Sequence, residues 1–152
     1  MEDRSARGAD AAGLTTGAPL LLYDGVCGFC AASVRLILRH ERRQTLLFAA
    51  LQSPLGEAVR TRHPELAGVD SMVWVEPAVS DGGERVFVRS DAALRIAAYL
   101  GGIWAVVAPA RLLPRLFRDR AYDLIARHRH RLSGSRDACV LPSPATRARF
   151  LG

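Results

Sequence analysis

Leu20-Leu21-Leu22-Tyr23-Asp24-Gly25-Val26-Cys27-Gly28-Phe29-Cys30 is the stretch whose reading decides the fold. The leucine run has no polar interruption and reads as a strand buried on both faces. Asp24-Gly25 reads as a tight turn, and the residues after Cys27 as a helix running to about Arg43. Two cysteines at a strand-to-helix junction form a candidate redox pair. With Cys27 at the helix N-terminus, Cys30 falls on the same face one turn in, so the sulfurs can approach bonding distance with little backbone movement. The unpaired N–H groups and the dipole of that helix favour a thiolate at Cys27. Beyond Cys30, Val34, Ile37 and Leu38 make an apolar stripe expected to face the sheet, whereas Arg35, Arg39, Arg42 and Arg43 lie largely off it. Cys30 is therefore expected to be the sheltered, resolving thiol and Cys27 the exposed, attacking one.

Outward from this stretch, Gln44 to Leu51 is a nearly continuous apolar run, read as a second buried strand parallel to the first. Strand, helix, strand is a right-handed crossover unit. Ser53-Pro54 ends the strand, and Leu55 to His63 reads as a short helix closed by Pro64. Met72 to Val75 and Arg85 to Val88 are third and fourth strands, joined as a hairpin through Asp81-Gly82-Gly83. Ser90 is a good N-cap for a helix that Gly101 can terminate. Ile103 to Phe117 is apolar but broken by Pro109 and Pro114 and punctuated by Arg111 and Arg115. It is too interrupted to span a bilayer and reads as a helical cap over the redox site rather than a membrane-surface helix. Asp119 to Leu132 reads as a last helix. The order βαβ, short helix, hairpin, helix is the layout of the thioredoxin-like α/β fold, here with a C-terminal helical extension from about residue 103.

The totals agree with one domain. A chain of 152 residues is long enough for a sizeable core, and 49% hydrophobic with 24% charged residues is an ordinary composition. Residues 1–17 carry no apolar segment and read as a flexible tail, residues 18–144 as the domain, and 145–152 as a C-terminal tail. Three cysteines, an odd number, suit a catalytic pair in a reducing, cytoplasmic setting better than a disulfide-built scaffold. The net charge of +6 comes largely from arginines spread along the chain without interleaved aromatics, so nucleic acid is not an expected partner, and neither is a membrane surface.

Each candidate residue also has a plainer reading. Asp24 could shuttle a proton at the thiols, or simply hold the turn through an Asx hydrogen bond, and an anion beside Cys27 would oppose thiolate formation. Cys139 could relay a disulfide or be a small residue in a docked tail. Ser90 and Asp91 could cap a helix or approach the redox loop. Arg129 could pair with a carboxylate or touch substrate. A zinc site would need more than Cys27 and Cys30, and only Cys139, His128 and His130 are on offer, the two histidines pointing to different sides of a helix.

Beyond Tyr23-Asp24-Gly25-Val26-Cys27-Gly28-Phe29-Cys30, several separated blocks resemble one family. They are Leu51-Gln52-Ser53, Ser90-Asp91-Ala92, Leu113-Pro114, Tyr122-Asp123, Arg129 and Cys139 to Pro142. Together they are similar to the DCC family of thiol-disulfide oxidoreductases, named for an Asp and two Cys that match Asp24, Cys27 and Cys30. The resemblance spans roughly residues 19 to 144 and implies a thioredoxin-like domain that reduces or exchanges disulfides. Such an enzyme needs no cofactor, only a disulfide-containing protein or small-molecule substrate and an external thiol reductant. Where a thioredoxin carries a cis-proline before the third strand, this chain has Asp70-Ser71. A thioredoxin-like binding module without turnover and a zinc-bound structural domain are the competing readings.

Overall fold

A computed structural model of the protein describes residues 17–78, 82–132 and 142–151, the side chains of residues 129–132 excepted. The leucine run forms β1 (Leu20–Tyr23), followed by α1 (Gly28–His40), β2 (Leu47–Ala50), α2 (Pro54–Arg62), β3 (Val73–Pro77) and β4 (Glu84–Val88). Then come α3 (Arg89–Leu100), a 3₁₀ helix over Gly102–Leu112, α4 (Arg115–Leu132) and β5 (Phe150–Leu151). The strands make one sheet in the order β4-β3-β1-β2-β5, with β1 parallel to β2 and antiparallel to β3, and β3 and β4 forming the expected antiparallel hairpin. This is the thioredoxin-like layout, with β1 at its centre.

That central place explains the leucine run. Leu20, Leu21 and Leu22 are each 0% exposed because helices cover both faces of the sheet. Leu21 packs with Cys30, Val34 and Ile37 of α1 and Ile96 of α3. Leu20 and Leu22, pointing the other way, pack with Leu55 and Val59 of α2. Each such leucine contributes about 1.5–3 kcal/mol by leaving water. Arg35, Arg39, Arg42 and Arg43 are exposed, as the stripe requires. Ser53 caps α2, its Oγ accepting from the Gly56 N–H at 3.1 Å, and Pro54 occupies the first turn. Gly56 lies so close to the end of β2 that a Cβ there would fall 2.4 Å from the Ala50 carbonyl oxygen.

Four expectations are corrected. The first helix ends at His40 instead of continuing to Arg43, because Glu41 leaves helical geometry and turns its carboxylate inward. Ser90 is not an N-cap: α3 already begins at Arg89, which has φ +52°, and the Ser90 hydroxyl donates to Asp119 Oδ1 at 2.5 Å. The last helix starts at Arg115 and not Asp119, since Pro114 supplies the carbonyl that accepts the first amide bonds, from Phe117 at 3.0 Å and Arg118 at 3.4 Å. The segment before it lies along α3 as a 3₁₀ helix with no buried residue, so it is not a packed cap.

Within residues 145–152, expected as a tail, Phe150 and Leu151 add an edge strand parallel to β2. Phe150 stacks on Phe48 at 5.0 Å and meets Tyr23 edge-on at 6.5 Å. Arg149 Nη2 donates to Glu41 Oε1 at 2.5 Å. The Tyr99 hydroxyl donates to Glu41 Oε2 at 2.8 Å and accepts the Thr45 and Leu46 amides, each at 3.1 Å. Residues 1–16, 79–81, 133–141 and 152 lie outside the described residues, and with them nearly all of the expected leading tail and Cys139.

Candidate active site

The chain leaves the C-terminal end of β1 through a turn that Asp24 braces. Its Oδ1 accepts from the Val26 N–H at 3.1 Å, and the Cys27 N–H donates to the Asp24 carbonyl at 3.2 Å. Cys27 is the N-cap of α1, with extended backbone (φ −91°, ψ 115°), and its carbonyl accepts the Ala31 amide at 3.0 Å. Cys27 is half-buried at the surface, whereas Cys30, one turn in, is 2% exposed within the core cluster of Leu21, Met72 and Ala92. The apolar stripe of α1 causes this difference, because the face that packs on the sheet carries Cys30 with it.

Cys30 is influenced by the Cys27 side chain and by the Asp24 backbone. Burial pushes the Cys30 thiol up to about 12. The backbone hydrogen bond from Asp24 works against that rise, and the charges of Cys27 and Asp24 add to it. Cys30 therefore holds its proton at neutral pH.

Gln52 completes the turn, with Nε2 donating to Asp24 Oδ1 at 2.7 Å and Oε1 accepting the Gly25 N–H at 3.1 Å. It carried no role in the reading of the sequence. The signal was present: β1 and β2 run parallel with Tyr23 opposite Ala50, so the residues just past each strand are neighbours. Val26, 84% exposed, places an apolar side chain next to Cys27. Ser71, just before β3, is buried, and the described residues contain no cis peptide bond.

The pairings Leu22 with Val73 and Val73 with Val88 put the start of β3 and the end of β4 at the same end of the sheet as the thiols. Ser90 and Asp91 are thus at the redox end, but their hydrogen bonds go to α4. Ser90 donates to Asp119, and Asp91 accepts from Arg115 Nε at 2.9 Å and Arg118 Nη1 at 2.8 Å. Partial burial of Asp91 opposes its ionisation, yet the two arginines outweigh that and hold its carboxyl below the usual range. Arg129 lies in α4 with its side chain outside the described residues, as are the side chain of His130 and all of Cys139. His128 Nδ1 sits 2.8 Å from the Leu124 carbonyl oxygen of its own helix. Among the described residues no three of His, Cys, Asp and Glu gather closely enough to hold a metal ion.

A family model described as DCC1-like thiol-disulfide oxidoreductase matches residues 21–135. A protein of Bacillus subtilis (strain 168) named "Uncharacterized protein YuxK" is 32% identical over 133 residues, covering 87% of this chain and 93% of the relative. The "DCC family protein At1g52590, chloroplastic" of Arabidopsis thaliana is 30% identical over 125 residues, covering 81% of this chain and 69% of the relative. No solved structure matches the chain. With the thiol pair at the mouth of a buried strand, and the match running from that strand through the last helix, the chain belongs to the DCC1-like thiol-disulfide oxidoreductase family.

Proposed function

We propose that the protein reduces or exchanges disulfides in a reducing cytoplasm, with Cys27 attacking and Cys30 resolving. The observation that carries this reading is the asymmetry of the pair, a half-buried cysteine at a helix N-terminus beside a 2% exposed one that burial keeps protonated. The Cys27 thiolate attacks one sulfur of a substrate disulfide, forming a mixed disulfide and releasing the other sulfur as a thiolate that takes up a proton. Cys30 then gives its proton to a base, attacks the Cys27 sulfur and displaces the second substrate thiolate. Two electrons have passed to the substrate, and the pair is left as a disulfide that an external thiol reduces again. Asp24 is the base we assign to Cys30: its charge is felt at that sulfur, and Gln52 and the Val26 amide fix its position. The substrate is a disulfide-containing protein or small molecule admitted beside the exposed Val26.

Trapping tests the assignment. A Cys30→Ser variant should accumulate a mixed disulfide at Cys27, released by added thiol and identifiable by mass spectrometry. Absence of any adduct, with Cys27→Ser retaining wild-type reductase activity, would overturn the proposal.

A further inference from the structure

The 3₁₀ helix Gly102–Leu112 has three residues per turn, so side chains three apart eclipse and form straight rows. Trp104 is turned toward the body, half-buried and meeting the His40 ring edge-on at 5.9 Å. The row of Ile103, Val106, Pro109 and Leu112 faces away, with Ile103 79%, Val106 78% and Leu112 88% exposed. At about 2 Å rise per residue this row is roughly 18 Å long. The following helix is inverted in the same sense. Arg118, Asp119, Tyr122 and Asp123 occupy its half-buried side, while Leu116, Phe117, Leu124 and Ile125 are 54–59% exposed. A helix that turns carboxylates inward and its largest apolar residues outward is built for a second surface.

The charge identifies that surface. Residues 101–132 contain seven arginines against two aspartates, so this segment is strongly cationic. Neither aspartate is exposed, whereas Arg111, Arg115, Arg120 and Arg127 are. We propose that the outward face of Gly102–Leu112 and α4 docks on an anionic lipid bilayer, the apolar rows entering the headgroup boundary and the arginines meeting lipid phosphates. A bilayer needs apolar side chains at a common depth and cations at the headgroups, not a shaped pocket. Neither the cleft of about 440 Å³ beside Trp74 and Tyr99 nor the cleft of about 320 Å³ around Asp91 is lined by any of the outward apolar side chains. A second copy would bring like charges face to face. Residues 1–16, 79–81 and 133–141 offer few large aliphatic side chains for that face: Met1, Leu14, Val79, Val140 and Leu141. No helix among the described residues is long and apolar enough to cross a membrane, so attachment is to the surface.

Sedimentation of the full chain with vesicles tests this. The protein should pellet with vesicles of equimolar phosphatidylcholine and phosphatidylglycerol and stay in solution with phosphatidylcholine alone. Ile103→Asp with Val106→Asp, and separately Leu116→Asp with Phe117→Asp, should each weaken partition by about tenfold or more by removing inserted apolar surface. All four side chains are exposed, and unchanged alkylation of Cys27 would report that the fold is retained. Wild-type protein that ignores the anionic vesicles would overturn the proposal, and so would binding that neither double variant weakens. A wild-type dimer that Ile103→Asp with Val106→Asp converts to monomer would assign the face to a second copy instead.

Discussion

Cys27 and Cys30 are one helical turn apart and differ in burial, Cys27 half-buried at the surface and Cys30 2% exposed in the core. Alkylation of the reduced protein near neutral pH, read by peptide mass, should therefore label Cys27 first, with Cys30 reacting only as the pH climbs toward its raised value; equal labelling would remove the basis for their roles. The same shift couples to stability. The folded state keeps the Cys30 proton above the ordinary 9.0, where the unfolded chain loses it, so the contribution is complete below that pH and declines as pH rises toward about 12. Denaturant midpoints of the reduced protein should fall more steeply above about pH 9 than those of Cys30→Ala. Gln52→Ala removes the second clamp on Asp24. At this exposed turn the loss of stability should be small, about 0.5–1.5 kcal/mol, while release of a trapped mixed disulfide slows more than its formation. Stopped-flow traces with both steps unchanged would reduce Gln52 to a turn residue.

At the scale of elements, the junction of β2 and α2 depends on one missing side chain. A Cβ on Gly56 would lie 2.4 Å from the Ala50 oxygen and 2.7 Å from the Leu51 oxygen, and backbone cannot swing aside as a flexible side chain can. Gly56→Ala should cost roughly 1–3 kcal/mol or more in urea melts, despite alanine's better helix propensity. A wild-type midpoint would mean that the helix can shift without penalty. The tether of α4 to α3 is of another kind, made by Asp91 with Arg115 and Arg118 and by Ser90 with Asp119. Its ionic part is present above the ordinary carboxyl value of 3.8 and is lost as pH falls through the lower folded-state value. The sequence offered Ser90 as a cap because serine next to a first-turn aspartate has that pattern. Its actual partner is 29 residues away, where no local rule reaches.

Across the whole molecule, Glu41 and Arg149 join the end of α1 to the start of β5. Their side chains are 0% and 14% exposed, so removing one leaves the other charge enclosed. Arg149→Ala should destabilise by roughly 3–5 kcal/mol and free the edge strand, which protease sensitivity at the C-terminus would detect. A loss well under 1 kcal/mol would show that water reaches Glu41 in the variant.

The sequence by itself determined the central strand, the thiol pair at its mouth, the sheltered position of Cys30 and the hairpin. Each of these is written in neighbouring residues, as an unbroken apolar run, a helical repeat or a pair of glycines. Only the tertiary structure decided the fifth strand, the bond between Gln52 and Asp24, the buried pair of Glu41 and Arg149, and the outward face of the last helices. Phe150-Leu151 is too short to have a period, and Glu41 looks like any helix-end acid until Arg149, 108 residues on, arrives beside it. The direction a helix faces depends on what its neighbours bury: in α4 the inward polar bonds to Ser90 and Asp91 set the rotation and leave its apolar side to the solvent.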